Sequence, residues 1–174
     1  MVTDKGRVKV LSGTTLTSDT ARHSRLLGDL AWNTVLVAHS SSEDVLRAVE
    51  LAQDACDRSV GHSRYQHVLG AAHYRIGNYH AAVEKLASTE RNRAPWQQGA
   101  PESVLRNLQS GDPYRWFLAM AQWQLGDKEA ATETFNSTYV SIVEDGSLRE
   151  LAAETAQLLG TSLEQKLQEE QLSL

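Results

Sequence analysis

Three alanines at equivalent positions divide the middle of the chain into repeated units, and this spacing constrains the fold more than any other feature. Ala48 and Ala82 stand 34 residues apart when the segment that begins at Leu30 is aligned with the segment that begins at Arg64. Ala131 follows 49 residues after Ala82, which is one 34-residue period plus a 15-residue insertion. A period of roughly 20–50 residues is typical of arrays in which each unit buries its apolar face against the next. The chain is therefore predicted to stack three similar units.

Each unit also has the sequence signals of a helical hairpin. The dipeptides Gly77-Asn78 and Gly126-Asp127 stand at the same place in the second and third units, between two segments of helical periodicity. Glycine ends a helix readily because it adopts the left-handed conformation, and Asn or Asp caps the helix that follows. The first unit instead has Ser41 and Asp44 at the spacing of a capping box. Three helical hairpins and an all-α fold are expected.

The units resemble the tetratricopeptide repeat, a helical hairpin of 34 residues. Trp32 matches the aromatic residue that opens the repeat. The pairs Leu69-Gly70 and Leu118-Ala119 match a pair that ends in a small residue. The alanine of the second helix is matched by Ala48, Ala82 and Ala131. Small residues there let the two helices of a hairpin approach closely. The first unit departs from the pattern, since Leu36 occupies the small position and no glycine lies in its turn. The resemblance implies a right-handed solenoid of three repeats.

The resemblance covers about residues 30–160, and the matching strings are similar to tetratricopeptide segments of large bacterial proteins that also carry protein kinase or β-propeller modules. It implies repeats at about 29–62, 63–96 and 112–145, with an insertion at about 95–111. A C-terminal capping helix is expected at 147–160, where leucines and alanines recur at helical spacing. Residues 1–20 are expected to form a flexible N-terminal segment, and residues 161–174 a helical tail.

Composition argues against several classes of protein. The formal net charge of −5 disfavours a nucleic-acid partner, since such binding depends on clustered Lys and Arg. No 18 apolar residues follow one another and the first residues lack a signal-peptide pattern, so we expect no membrane association and a cytoplasmic location. The single cysteine, Cys56, is expected to fill a small apolar space on a helix.

The polar residues do not form a recognisable reactive site. The six histidines lack the spacing of a helix-borne metal site; His67 and His73, for example, lie on different faces of one predicted helix. The sequence contains no Gly-rich phosphate loop and pairs Cys56 with no neighbouring base. We therefore expect no bound metal, no cofactor and no enzyme activity.

The resemblance implies a concave binding face formed by the first helix of each repeat. Helical spacing independently groups cationic side chains of the second unit in one stripe and aromatic side chains of the third unit in another. This pairing favours an extended or helical peptide that carries acidic residues beside a large apolar one. The candidate groove residues are Asn33, Val37, Arg64, His67, Tyr74, Arg75, Trp116, Met120 and Trp123. The predicted function is a non-catalytic scaffold or adaptor that binds a protein or peptide partner, as a monomer or weak homo-oligomer.

Three alternatives remain open from the sequence. Tyr74 and the two tryptophans of the third unit are also suited to core packing. A small-ligand sensor or an enzyme would use a pocket between the insertion and the groove, formed by His67, Tyr74 and Trp96. A self-assembling structural module would use the leucines of residues 162–174.

Overall fold

The computed structural model describes residues 4–92, 113–138 and 146–172, and these ranges contain eight helices and no strand. The all-α class predicted from the repeat pattern is confirmed in this part of the chain. The helices are α1 (Asp4–Leu36), α2 (Ser42–Arg58), α3 (Ser63–Arg75), α4 (Tyr79–Asn92), α5 (Tyr114–Gln124), α6 (Lys128–Asn136), α7 (Gly146–Leu158) and α8 (Leu163–Leu172).

Two of the hairpin turns have the glycine geometry that the sequence predicts. Between α3 and α4, Gly77 has a φ of +79°, and the N–H of Asn78 donates to the carbonyl of His73 at 2.9 Å. Between α5 and α6, Gly126 has a φ of +88° and Asp127 donates the equivalent bond at 3.0 Å. These bonds satisfy carbonyl groups that the end of a helix leaves without a partner. The predicted tight turns at Gly-Asn and Gly-Asp are confirmed.

The first hairpin turns without a glycine, and a capped serine begins its second helix. Ser41 Oγ accepts a hydrogen bond from the N–H of Asp44 at 3.1 Å and donates one to the Asp44 carboxylate at 2.6 Å. The predicted cap at the start of α2 is therefore confirmed. In the other two hairpins the residue that follows the glycine, Asn78 or Asp127, caps the second helix instead.

The helices form two layers. Helices α1, α3 and α5 contact one another in series, and α2, α4 and α6 each pack against the first helix of their own hairpin. Alanines fill the space between the layers, and Ala48, Ala82 and Ala131 are each at most 1% exposed. Cys56 is buried in the same cluster, as expected of a small apolar residue, and burial raises the pKa of its thiol.

Helices α3 and α4 approach closely at Gly70. A Cβ atom added to Gly70 would lie 2.6 Å from Cγ of Leu86 and 3.3 Å from Cβ of Lys85. Real Cβ atoms do not come so close to another side chain, so the α3–α4 crossing depends on a residue without one. The small-residue position expected in the second unit is confirmed here.

We expect Gly70→Val to lower the free energy of unfolding by about 1–3 kcal/mol, because the new side chain overpacks the crossing against buried Leu86. Urea denaturation measures this difference. Gly146→Val is the matched control, since a Cβ at Gly146 meets no described atom within 4 Å. Equal losses in the two variants would contradict the close approach at Gly70.

Helix α1 begins earlier than the sequence predicts. Helical periodicity in the sequence starts near Arg22, whereas α1 begins at Asp4. The flexibility expected of residues 1–20 stays a prediction. Its later turns are anchored by buried Ser24 and by Gly28, which lies against Tyr65 of α3. Once such an anchor has nucleated a helix, each further residue adds a backbone hydrogen bond at little cost. The insertion at about 95–111, with Trp96, lies outside the described residues.

The C-terminal tail packs on its own chain in the part that the structure describes. Leu163 and Leu167 of α8 are partly buried against the core. Lys166 is 6% exposed, and its Nζ donates to the carbonyl of Asn136 at 2.8 Å, above the ring of Phe135. Helix α8 thus extends the packed structure beyond α7 and anchors it to α6.

The half-buried imidazole of His73 on α3 gives a prediction about pH. Burial lowers its pKa from 6.5, repulsion by Lys85 lowers it further, and Glu84 partly opposes the shift. The unfolded chain then binds the proton more readily, so the free energy of unfolding falls as the pH drops through 6.5. NMR titration is expected to place the His73 pKa below 6.5, and His73→Gln to flatten the pH dependence of stability there. Titration of His73 at or above its ordinary value would contradict this.

Candidate functional site

One surface of the α1–α3–α5 layer brings several of the candidate residues together. We call it the inner face and define it by Trp32 of α1, Arg64, His67 and Arg75 of α3, and Tyr114 and Phe117 of α5. The ring of Phe117 connects its two ends, because its centroid lies 6.1 Å from that of Trp32 and 5.1 Å from the guanidinium carbon of Arg75. The three α3 residues share one helical stripe, so they lie along a single line on the surface.

A pocket of about 270 Å³ occupies the first end of the inner face. Three helices form it, and its lining is Trp32, Arg64, His67, Val68, Pro113 and Tyr114. The rings of His67 and Tyr114 are stacked, with centroids 3.8 Å apart and planes inclined by 9°. This stack joins α3 to α5 and fixes one wall. Aromatic walls beside a cation suit an apolar group that carries a carboxylate.

Arg64 supplies the positive charge of the pocket. Its side chain is 54% exposed, and its Nη2 donates to the carboxylate of Asp29 on α1 at 2.6 Å. The same carboxylate lies 3.7 Å from the Nε of Arg25. Asp29 therefore orients the guanidinium, and among the described contacts its remaining N–H groups are not engaged. A guanidinium held in this way can still donate to a second carboxylate.

Arg75 lies at the second end of the inner face and is almost fully buried. Its side chain is 8% exposed, and its Nη1 and Nη2 donate to the two oxygens of Glu154 on α7 at 2.5 Å and 2.9 Å. Its Nε donates to the carbonyl of Val35 on α1 at 2.9 Å. The guanidinium also lies against the rings of Phe117 and Tyr74. Arg75 therefore joins four helices.

Helix α7 lies on the inner face and not only against the last hairpin. It packs on α5, contacts α1 and pairs with α3 through Glu154. Leu151, Ala152, Thr155 and Ala156 are each at most 1% exposed. A cap confined to the third hairpin would not reach α1, which belongs to the first. The capping helix expected at 147–160 is thus present as α7, and it covers part of the face where we expected a partner.

Trp116 and Met120 are in the core, which corrects the expectation that they line the groove. Both are fully buried, and Trp116 Nε1 donates to Thr138 Oγ1 at 2.9 Å. Helix α5 has neighbours on several sides, namely α3, α4, α6 and α7, and every residue from Trp116 to Ala121 is buried. Trp116 and Met120, which helical spacing assigned to an aromatic surface, therefore pack in the core. For Trp116 this is the core-packing alternative that the sequence left open.

Tyr74 and Trp123 are half-buried. The Tyr74 ring lies 5.7 Å from the rings of both Phe117 and Tyr79, measured between centroids. Burial raises the pKa of Tyr74 to about 12, and the charge of Glu154 adds to the shift. Trp123 lies at the end of α5, where the Nζ of Lys128 is 4.9 Å from its ring centroid. Neither side chain lines the pocket.

Asn33 and Val37 are exposed on a different part of α1. They continue a stripe that contains Leu26 and Leu30, and this stripe faces away from buried Ala31. Val37 is 56% exposed, and neither residue lines the pocket. The structure therefore brings Arg64 and His67 of the predicted groove together at the pocket, and it places Arg75 and Tyr74 in contact at the other end of the inner face. The remaining candidates are separate from both groups.

Sequence reasoning did not identify Tyr114 of the inner face or Glu154, which pairs with Arg75 of that face. Glu154 lies 79 positions from its partner Arg75, so no local period connects them. Tyr114 forms one wall of the pocket. The one sequence signal that could have identified it is its position directly after Pro113, at the start of a predicted helix. Trp32 was recognised as the opening aromatic of its repeat, which accounts for its packing but not for its place in a pocket.

Comparison with known proteins does not assign this site. No protein-family model, curated protein or solved structure matches the chain. In residues 4–92, 113–138 and 146–172, no three His, Cys, Asp or Glu side chains come together as a possible metal site. Among the described helices, none is long and apolar enough to cross a membrane. The site is therefore interpreted from its own geometry.

We expect Arg75→Met to lower the free energy of unfolding by about 3 kcal/mol, because it leaves the Val35 carbonyl on α1 and the partly buried Glu154 carboxylate on α7 without their donor. Glu154→Gln is expected to lose less, since the amide still accepts one bond. Urea denaturation of both variants and of the double variant gives the coupling energy. Arg58→Met is the matched control, because the Arg58–Asp54 pair is exposed and such pairs contribute about 0–1 kcal/mol. Equal losses for Arg75 and Arg58 would contradict the role of Arg75.

Proposed function

We propose that the chain is a tetratricopeptide-like solenoid of three hairpins and acts as a non-catalytic protein–protein interaction module. Three buried alanines at equivalent positions, separated by 34 residues and then by 34 plus a 15-residue insertion, support the fold, as does the shared glycine turn of the second and third hairpins. Arrays of this kind bind partners because corresponding helices of successive units form one continuous surface. In this chain the inner face is that surface.

The pocket at the Arg64 end of the inner face carries the functional part of the proposal. Its volume of about 270 Å³, measured among the described residues, is at the low end of the roughly 300–1,000 Å³ of typical small-molecule sites. A single side chain of a partner fits such a space better than a whole ligand does. Trp32 and Tyr114 provide apolar walls, and Arg64 provides a partly engaged cation. The partner is therefore a peptide or protein segment with an acidic residue beside a large apolar one.

A small-ligand sensor or enzyme is less well supported. Of the two described residues on which that alternative depends, His67 lines the pocket and Tyr74 does not. Tyr74 packs at the other end of α3, and Trp96 is outside the described residues. Self-assembly through the tail is also less well supported, since α8 packs on its own chain through Leu163, Lys166 and Leu167.

Selection from a random peptide library displayed on phage tests the proposal. Peptides that bind the wild-type chain are expected to share an acidic residue next to Leu, Phe or Trp. Arg64→Glu is expected to weaken their binding at least about tenfold and to remove most of its salt dependence, since the carboxylate then meets a like charge. Fluorescence anisotropy of labelled peptides measures both effects.

Arg22→Glu is the matched control, because Arg22 is an exposed arginine on α1 with the same charge and does not line the pocket. It should leave binding unchanged apart from a small effect of net charge. Failure to enrich any peptide, or equal binding by the wild-type and Arg64→Glu chains at low salt, would reject the proposed site.

A further inference from the structure

We propose that α7 is an intramolecular ligand of the inner face, and that the partner is an amphipathic helix that presents a leucine and a glutamate as α7 does and takes its place. This inference rests on the proposed function. It adds that the partner is helical and that it must displace α7 in order to bind. The recognition chemistry comes from the contacts at the Arg75 end of the face, and the pocket at Arg64 enters only as the additional contact that lets a partner compete.

The contacts of α7 show which chemistry this end of the face recognises. Glu154 receives two hydrogen bonds from Arg75, and Leu151, one helical turn earlier on the same side, is 1% exposed. The neighbouring buried positions hold the small side chains of Ala152, Thr155 and Ala156, so the helix can lie close to α5. The pattern is a leucine, a glutamate three residues later and small residues beside them.

The receiving group is held in place independently of α7. The Nε of Arg75 is bonded to the carbonyl of Val35, and the guanidinium lies against the ring of Phe117. Both contacts belong to the α1–α3–α5 layer, so they persist when Glu154 leaves. A cation oriented in advance binds an incoming carboxylate without the loss of side-chain freedom that ordering it would require.

Helix α7 is a modest ligand for this surface. Leu151 is its one large apolar side chain that is fully buried, whereas Leu148 and Leu158 are only partly buried. Its attachment to the chain supports it, because a tethered segment acts at an effective concentration in the millimolar range. The residues that line the pocket include none from α7. A partner helix that also reached this pocket would gain contacts that α7 does not make, and this gain allows it to compete.

The test uses a fluorescent synthetic peptide with the sequence of residues 146–159, added to the full chain. The wild-type chain is expected to bind it at least about tenfold more weakly than a Glu154→Lys chain, in which repulsion from Arg75 undocks the resident helix. A peptide with Glu154→Gln is expected to bind the Glu154→Lys chain at least about tenfold more weakly than the parent peptide, since it loses a charge-assisted bidentate pair. Fluorescence anisotropy measures all four combinations.

Glu150→Lys is the matched control, since Glu150 is on the exposed side of the same helix and the variant has the same change of charge. This chain should bind the peptide as weakly as the wild type. The inference is overturned if the folded Glu154→Lys chain does not bind the peptide, if both peptides bind it equally, or if the wild-type chain binds as tightly as the variant. Binding of phage-selected peptides through Arg64 would survive each of these results, so the two proposals fail separately.

Hydrogen exchange provides a measurement that needs no variant. In the wild-type chain, the amide protons of α7 are expected to exchange through local opening, faster than those of α3 and α5, and a saturating excess of the unlabelled peptide should accelerate them further. If α7 exchanges only with global unfolding, at the same rate as α3 and α5 and with no response to the peptide, it is a fixed part of the core and the inference is overturned.

Discussion

The guanidinium of Arg75 is the interaction on which the arrangement of the helices depends. Its three nitrogen atoms each have an acceptor, one on the backbone of α1 and two on the carboxylate of Glu154, and its plane lies against aromatic rings of α3 and α5. A charged side chain with 8% exposure is tolerated because each of its three nitrogen atoms has an acceptor and one acceptor group is a carboxylate. Lysine could not replace it, since an ammonium group has neither the fork geometry nor the flat surface. Helices α1, α3, α5 and α7 therefore meet at the side chain of Arg75.

The inner face uses two arginines on one stripe of α3 in different ways. Arg75 is enclosed, and its charge is matched within the chain, so its first effect is on stability. Arg64 is half exposed and is oriented by Asp29, so it retains the capacity to bind another group. Phe117 contacts both Trp32 and Arg75, and it thereby connects the packing at one end of the face to the pocket at the other. The α1–α3–α5 layer thus contains one arginine that stabilises the helix packing, Arg75, and one that retains the capacity to bind another group, Arg64.

Local rules predicted much of this structure, and long-range packing determined the rest. The Gly77 and Gly126 turns and the Ser41 cap follow from chemistry within a few residues, whereas the small residue at Gly70 was identified through the repeat resemblance, because its close neighbour Leu86 lies on the next helix. Trp116 and Met120 lie on a helix with neighbours on several sides, and helical spacing cannot distinguish a stripe covered by α6 or α7 from one open to solvent. Spacing likewise could not show that α7 reaches α1, because that contact depends on the stacking of all three hairpins. The start of α1 was missed because composition does not reveal how far an anchored helix continues.

The separation of 79 residues between Arg75 and Glu154 has a consequence for the order in which the chain folds. Each hairpin forms from contacts between neighbours in sequence, which close quickly, whereas the docking of α7 requires the ends of α1, α3 and α5 to be in place already. During synthesis the hairpins emerge first, and the carboxylate that covers Arg75 leaves the ribosome later. For that interval the nascent chain presents an uncovered, positively charged apolar surface, and its solubility then depends on how soon α7 follows.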